Sequence, residues 1–220
     1  MIDLKGYQGF ALMKGDRSIE ASKLELYCSL NSIPIVRIDK DISCSDEYVP
    51  CGGVEWCLEC LGKKVVPDYY PEWLSEFLYR KVWRTDKWPL GKKVFIKPAG
   101  KYKRFTGFVT TGTYKKKKKP PFWCSDIVHF VNEWRYYVAD GKILCGEWYW
   151  GDEVNTPEAP KLDINIPEGY CGAIDFGMLK EEKLALIEVQ HPFSCGWYGK
   201  DIELYAQWLV SGWDYMRKYK

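Results

Sequence analysis

Histidine is nearly absent from this chain: two residues in 220, His129 and His191. Both lie far in sequence from Cys57-Leu-Glu-Cys60, the one close cysteine pair. A structural zinc site usually draws on two close ligand pairs, so this pattern argues against zinc. The nine cysteines are odd in number, and Met1-Ile-Asp-Leu-Lys-Gly6 shows no basic region followed by an apolar stretch. Free thiols in a reducing cytoplasm are therefore expected, the host's if the chain is phage-encoded. No apolar run approaches bilayer-spanning length, so no membrane partner is expected. Gly-x-x-x-x-Gly-Lys-Ser/Thr is missing, which excludes a P-loop, and the lack of Gly-x-Gly-x-x-Gly leaves a dinucleotide site unsupported. Charge of one sign is also scarce, at +2 overall. Residues 1–90 hold 12 basic and 14 acidic side chains, and residues 91–220 hold 20 and 16. That second excess is smaller than the run Lys115–Lys119 alone, so nucleic acid is an open partner but not an indicated one.

Aromatic residues, in contrast, are abundant at 16%. Residues 18–31 predict a helix opened by Ser18, followed by a strand at 33–38, which together read as an α/β unit. Gly52-Gly53 leads into a short helix. Pro71 begins what reads as a longer one, with Trp73, Leu74, Phe77, Leu78 and Val82 at helical spacing and so on the core side. From residue 93 the pattern turns to strands: Val94–Pro98, Phe105–Gly112, Phe122–Val128, Glu133–Val138 and Lys142–Tyr149. Asp140-Gly141 marks a hairpin between the last two. Two more strands, Gly172–Gly177 and Leu184–Gln190, flank a short charged connection, and Asp201–Lys220 closes the chain as an amphipathic helix.

The last two strands carry acids. Residues two apart share a strand face, so Glu188 and Gln190 point together, and an antiparallel neighbour can set Asp175 beside them. Two carboxylates and a carboxamide form a hard oxygen set suited to Mg2+ with phosphate oxygens. Upstream, Lys97 ends an apolar strand, and Lys103, Arg104 and Gly107 lie in a loop able to fold over phosphates. Arg135 shares a strand face with Glu133. Singly, each of these side chains is an ordinary surface charge or ion-pair partner. Jointly they describe a Mg-nucleotide site between two lobes.

The order Val94-Phe-Ile-Lys97-Pro98, Lys103-Arg-Phe-Thr-Gly107, Trp123-Cys-Ser-Asp126, Glu133-Trp-Arg135, Asp175 and Ile187-Glu188-Val-Gln190 resembles the ATP-grasp superfamily. It resembles most its small clade, frequent in bacteria and their phages, marked by one arginine and two lysines. The resemblance spans roughly residues 49–200 and includes Val49-Pro-Cys-Gly-Gly-Val-Glu-Trp56. It implies an α+β fold in which two lobes enclose a nucleotide cleft between antiparallel sheets. An α/β pre-grasp region would occupy residues 1–90, and the nucleotide-binding and catalytic region residues 91–220.

The resemblance further implies ATP and Mg2+. Lys97 and Lys103 would contact phosphate, Asp126 and Glu133 would lie on the nucleotide, and Arg135 would face the γ-phosphate. Asp175, Glu188 and Gln190 would hold the metal, with Gln190 departing from the usual Asn. The implied reaction joins a small-molecule or peptide carboxylate to an amine through an acyl-phosphate, releasing ADP. Two rivals stand beside it. A nucleotidyltransferase or polynucleotide ligase would need Lys101 or Lys103 as a covalent lysine, but Lys-x-Asp-Gly is absent. The other is a non-catalytic nucleotide-binding module.

Overall fold

The computed structural model of the protein describes residues 2–62, 65–100, 104–113 and 118–218. Its first unit is a three-stranded parallel sheet, β1 (Gly9–Met13), β2 (Ile35–Ile38) and β3 (Tyr48–Cys51), in the order β2-β1-β3. The central strand is buried on both faces, as a parallel strand must be, and Phe10, Ala11 and Leu12 have no solvent exposure. Helix α1 (Ile19–Leu30) joins β1 to β2. Ser18 caps it, accepting a hydrogen bond from the Ala21 amide. Helix α2 (Val54–Leu61) enters through Gly53 and ends at Gly62, whose φ of 65° takes the left-handed conformation that favours glycine.

Two four-stranded antiparallel sheets follow. One contains β4 (Val82–Thr85), β5 (Val94–Pro98), β6 (Phe108–Thr110) and β7 (Phe122–Ser125), ordered β4-β7-β5-β6. The other contains β8 (Phe130–Ala139), β9 (Lys142–Trp150), β10 (Gly172–Leu179) and β11 (Leu184–Gln190), ordered β11-β10-β8-β9. Asp140 and Gly141 both have positive φ, 49° and 76°, and form the tight β8–β9 hairpin that their sequence implies. Strand β4 lies before residue 90 yet pairs with β7.

Helix α3 (Ile202–Lys218) lays Tyr205, Trp208, Leu209 and Trp213 into one large core with the parallel sheet and the ends of β8 and β10. Trp208 is fully enclosed and its indole N–H donates to the Gly172 carbonyl at 3.2 Å. A second core lies behind the β8–β11 sheet, where Trp134, Tyr136, Ile174 and Phe176 meet Leu74 and Phe77. The extended stretch 157–166 covers part of it. Pro157 and Pro160 carbonyls accept from the Trp134 indole and the Tyr136 hydroxyl at 3.0 and 2.7 Å. The β4–β7 sheet has its own aromatic core of Trp88, Phe105 and Phe122.

The helix expected from Pro71 through Trp83 is instead a short 3-10 helix, Glu72–Phe77, followed by a turn and β4. Trp73, Leu74 and Phe77 do reach the second core, as their spacing implies. Tyr79 then takes a positive φ of 45°, and Arg80 bonds the carbonyls of Leu78, Leu186 and Ile187. Tertiary hydrogen bonds to β11 outweigh the local helical preference.

Replacing Trp208 by Ala removes the largest fully enclosed side chain and one buried hydrogen bond. The expected cost is about 3–5 kcal/mol. Calorimetry should show a melting point lower by on the order of 10 °C. An unchanged melting point would mean that α3 is not part of the cooperative core.

Candidate active site

Strand pairing builds the site. Glu188 on β11 lies directly across from Asp175 on β10, Asp175 across from Arg135 on β8, and Arg135 across from Glu147 on β9. Directly paired residues share a sheet face, so this is one charged row crossing four strands. Gln190 sits two residues beyond Glu188 on the same face and donates its side-chain N–H to the Glu188 carboxylate. Glu133, two residues before Arg135, accepts from the Tyr149 hydroxyl at 2.6 Å.

Arg135 and Asp175 are both buried and form a bidentate pair, with Nε to Oδ1 at 2.7 Å and a terminal nitrogen to Oδ2 at 2.8 Å. Burial would lower the guanidinium pKa, but Asp175 outweighs it and raises it. Burial pushes the Asp175 carboxyl up against the opposing pull of Arg135. Arginine does not deprotonate in proteins, so the pair is ionic. Tyr149 and Tyr198 stack with centroids 5.1 Å apart, and the Arg135 guanidinium lies 5.6 and 5.3 Å from their rings. This aromatic support holds the cation in a fixed plane.

Lys97 comes from the other sheet. The end of β5 buries it, and its ammonium pairs with Glu188 across the gap between the two sheets. The same ammonium lies 4.2 and 4.6 Å from the ring centroids of Tyr69 and Tyr70. Burial would lower its pKa, and the Glu188 carboxylate reverses that and raises it. A cavity of about 240 Å³ opens here, lined by Tyr69, Phe95, Lys97, Phe105, Thr106 and Glu188, among others. Gly107 is required at its wall, because a Cβ there would lie 2.3 Å from the Phe95 ring. A larger cavity of about 420 Å³ lies elsewhere, beside Trp73, Tyr170 and Tyr215.

The structure thus brings Lys97, Arg135, Glu133, Asp175, Glu188 and Gln190 to one cleft-facing region. Asp126 is not among them. It is paired to Lys92 at 2.9 Å on the rim and also accepts from the Lys81 amide. Hydrogen bonding to Lys92 holds its carboxyl below the usual value. Lys103, and with it Lys101 and Lys115–Lys117, lies outside the described residues. Sequence reasoning missed Tyr69, Tyr70, Arg80, Tyr149 and Tyr198. The Tyr69-Tyr70-Pro71 triplet was the only local signal, since aromatic support for a cation has no fixed spacing.

Among the described residues, no three His, Cys, Asp or Glu side chains converge as a ready metal-ligand set. Asp175, Glu188 and the Gln190 carboxamide do supply hard oxygens on one face, the donor chemistry that Mg2+ takes. This donor set fits a Mg2+ shared with phosphate, which brings the remaining oxygens.

Two outcomes follow from the site's electrostatics. Arg135→Met leaves Asp175 charged and buried without a partner, at a cost of about 3–5 kcal/mol by denaturant unfolding. Combining it with Asp175→Leu should recover most of that loss. An equal or larger loss in the double variant would show that packing, not the uncompensated charge, dominates. Beside the site, burial lowers His191 to about 4, stacked on Phe193. Its folded pKa lies below the ordinary value near 6.5, so the unfolded chain binds the extra proton first. Stability should therefore fall as pH drops from about 6.5 to 4, by up to roughly 3 kcal/mol. The His191→Gln variant should lose that part of the slope, and an unaltered slope refutes the assignment.

Over residues 76–208 the chain matches a family model described as an ATP-grasp domain, family 2 of the clade marked by one arginine and two lysines. No curated protein matches it. Among solved structures it is similar to a RimK domain protein ATP-grasp from Sphaerobacter thermophilus, at 8% identity and a TM-score of 0.55, covering 91% of this chain and 97% of that one. It is also similar to D-alanyl-alanine synthetase A from Vibrio cholerae, at 12% identity and a TM-score of 0.51, covering 95% and 99%. A third is the ATP-grasp ligase PsnB complexed with minimal precursor, Mg and ADP, at 9% identity and a TM-score of 0.50, covering 99% of both chains. At such identities these likenesses speak for the fold, and the two antiparallel sheets agree with it. The family match covers more than half of the residues and includes every member of the charged row: the chain belongs to the ATP-grasp family, within family 2 of that clade.

Proposed function

We propose that the protein is an ATP-dependent carboxylate–amine ligase that forms an acyl-phosphate and releases ADP and phosphate. The observation that carries this reading is the meeting of Lys97 from one sheet with the Glu188–Asp175–Arg135 row of the other. Cations and hard oxygen donors lie within one region, and no nucleophilic side chain stands among them. That composition suits phosphoryl transfer, which needs positioning and charge neutralisation more than covalent chemistry from the protein.

On this reading Lys97 leaves Glu188 to hold the phosphate chain, while Glu188, Asp175 and Gln190 hold Mg2+. Bound there, the metal would neutralise charge on the phosphoryl oxygens. Arg135, fixed by Asp175 and its two tyrosines, faces the γ-phosphate and the acyl group. Glu133 lies toward the nucleotide, and Lys103 joins from the loop. Asp126 serves the nucleotide's polar edge once Lys92 releases it. The carboxylate of one substrate attacks the γ-phosphorus and ADP departs. An amine then attacks the acyl carbon, phosphate leaves with the C–O bond electrons, and the amine sheds a proton. Relatives of this fold are named for peptide precursors and for D-alanyl-alanine, which supports a small-molecule or peptide carboxylate and an amine as substrates. We assign residues 1–90 to the pre-grasp region and 91–220 to the nucleotide-binding and catalytic region, with β4 donated across that line. The described residues contain no helix long and apolar enough to cross a membrane, and we place the reaction in the cytoplasm.

Product analysis tests the reading. Incubated with Mg-ATP, amino acids and short peptides, the protein should release ADP and phosphate, and hydroxylamine should trap a hydroxamate. Lys97→Ala should slow ADP release by about a hundredfold, the usual effect of losing one stabilising group in a dry site. Glu188→Gln should lose activity in a way that high Mg2+ partly restores. Pyrophosphate release, with AMP on a lysine or on the substrate, would overturn the ligase assignment in favour of nucleotidyl transfer.

A further inference from the structure

Charge is distributed very unevenly along this chain. Fifteen of its 32 Lys and Arg, but only two of its 30 acids, fall within residues 80–126, leaving 17 basic and 28 acidic residues elsewhere. That stretch is the β4–β7 lobe. Its two acids are Asp86 and Asp126, and Asp126 is taken up by Lys92 at 2.9 Å. Lys81, Lys87, Lys93, Arg104 and Lys119 are exposed, and among the described residues none has a carboxylate within ion-pair distance. Elsewhere the surface cations are largely neutralised, as in Lys5–Asp140, Lys14–Asp39, Arg37–Glu25 and Lys218–Asp214. Unpaired like charges crowded on a small lobe repel one another, and a polyanion relieves that repulsion.

The lobe also places cations around aromatic rings. On β4, Trp83 is half-buried, with the Lys81 and Lys92 ammonium groups 5.8 and 4.9 Å from its ring centroid. Lys118 lies 5.2 Å from the Phe105 ring, and both rings belong to the same aromatic cluster. Lys97 is on the opposite face of the sheet, since Trp83 aligns with Cys124 and Ile96 while Lys97 aligns with Trp123 and Arg84. The basic aromatic face around Trp83 is thus distinct from the nucleotide cleft.

We infer that this outer face of the β4–β7 lobe binds a single-stranded nucleic acid, lysines meeting phosphates and the Trp83 region meeting bases. The exposed cations are nearly all lysine. Lysine engages phosphate as a point charge, whereas planar carboxylates of an acidic peptide are matched best by the arginine fork. Lysines rimming an aromatic surface are the arrangement by which sequence-independent single-strand binders hold backbone and base together. The inference does not depend on the ligase reading, because the face lies outside the catalytic row.

Fluorescence anisotropy with the full-length protein and a labelled 20-nucleotide oligo-dT tests it. If four phosphates are engaged, affinity should fall about fiftyfold between 50 and 200 mM salt, a slope near −2.8. The triple variant Lys87→Glu, Lys93→Glu and Lys119→Glu should bind at least tenfold more weakly. Its melting shift with Mg-ATP should match that of the unaltered protein, which shows that the lobe still folds. Saturating Mg-ATP should not displace the oligonucleotide. No binding at 50 mM salt overturns the inference, as does undiminished binding by the triple variant or displacement by Mg-ATP. Displacement by polyglutamate of equal charge as readily as by unlabelled oligo-dT would assign the face to an acidic polypeptide and overturn it too.

Discussion

Arg135 and Asp175 face each other across β8 and β10, with both hydrogen bonds made out of reach of bulk water. Taking two charges out of water is costly, and only close, bidentate geometry offsets that cost. The pair therefore tolerates one register of β8 against β10. A slip by one residue would turn Arg135 toward the apolar core behind the sheet and bring Trp134 or Tyr136 to the cleft. Because β10 also fixes β11, the same register sets Glu188 beside Asp175 and Gln190 just beyond. Fold and site share a single constraint here.

The second junction, Lys97 with Glu188, is of a different kind. It bridges two sheets that share no strand pairing. Together Lys97, Arg135, Asp175 and Glu188 carry two positive and two negative charges, so the region is balanced as it stands. On the proposed reading, a divalent cation arriving alone meets carboxylates already occupied by cations. Phosphate arriving alone meets uncovered carboxylates once Lys97 turns away. Arriving together, each supplies what the other displaces, which couples metal and nucleotide binding through one lysine. Arg80 steadies the junction from behind, holding the carbonyls of Leu186 and Ile187, while the Tyr69 carbonyl takes the Val189 amide. The edge strand carrying Glu188 is thereby anchored on its open side.

Much of this was legible in the sequence because strand periodicity is short and reliable. The 2-residue repeat placed Glu188 and Gln190 on one face, and Asp140-Gly141 marked its hairpin without ambiguity. Lys97 was readable because proline ends its strand. The helix expected after Pro71 failed for the opposite reason. Trp73, Leu74 and Phe77 satisfy a 3-10 turn as well as an α-helix, and what decided between them was Arg80 reaching a strand more than a hundred residues away. Asp126 shows the same limit. Sequence order set it among nucleotide-facing residues, but its pairing with Lys92 depends on how β4, β5 and β7 lie together. The supporting tyrosines were invisible for a simpler reason, since a ring contributes by contact and no spacing rule announces contact.

The basic lobe was hidden by where the chain was divided. A cut at residue 90 splits the stretch 80–126 and mixes each half with acidic neighbours, so both halves look neutral. Strand pairing redraws the boundary: β4 belongs with β7, and Lys81 and Arg84 join the lysines that flank β5 and β7. Charge density has meaning only over a surface that folds together, and the pairing of β4 defines that surface. A domain of ordinary net charge can thus consist of a strongly cationic lobe and an anionic body. Their mutual attraction acts across the same gap that Lys97 and Glu188 bridge. At physiological salt, screening confines that attraction to about 8 Å, so it operates once the lobes are near contact. The cations on the outer face lie beyond its reach, and only a separate anion can neutralise them.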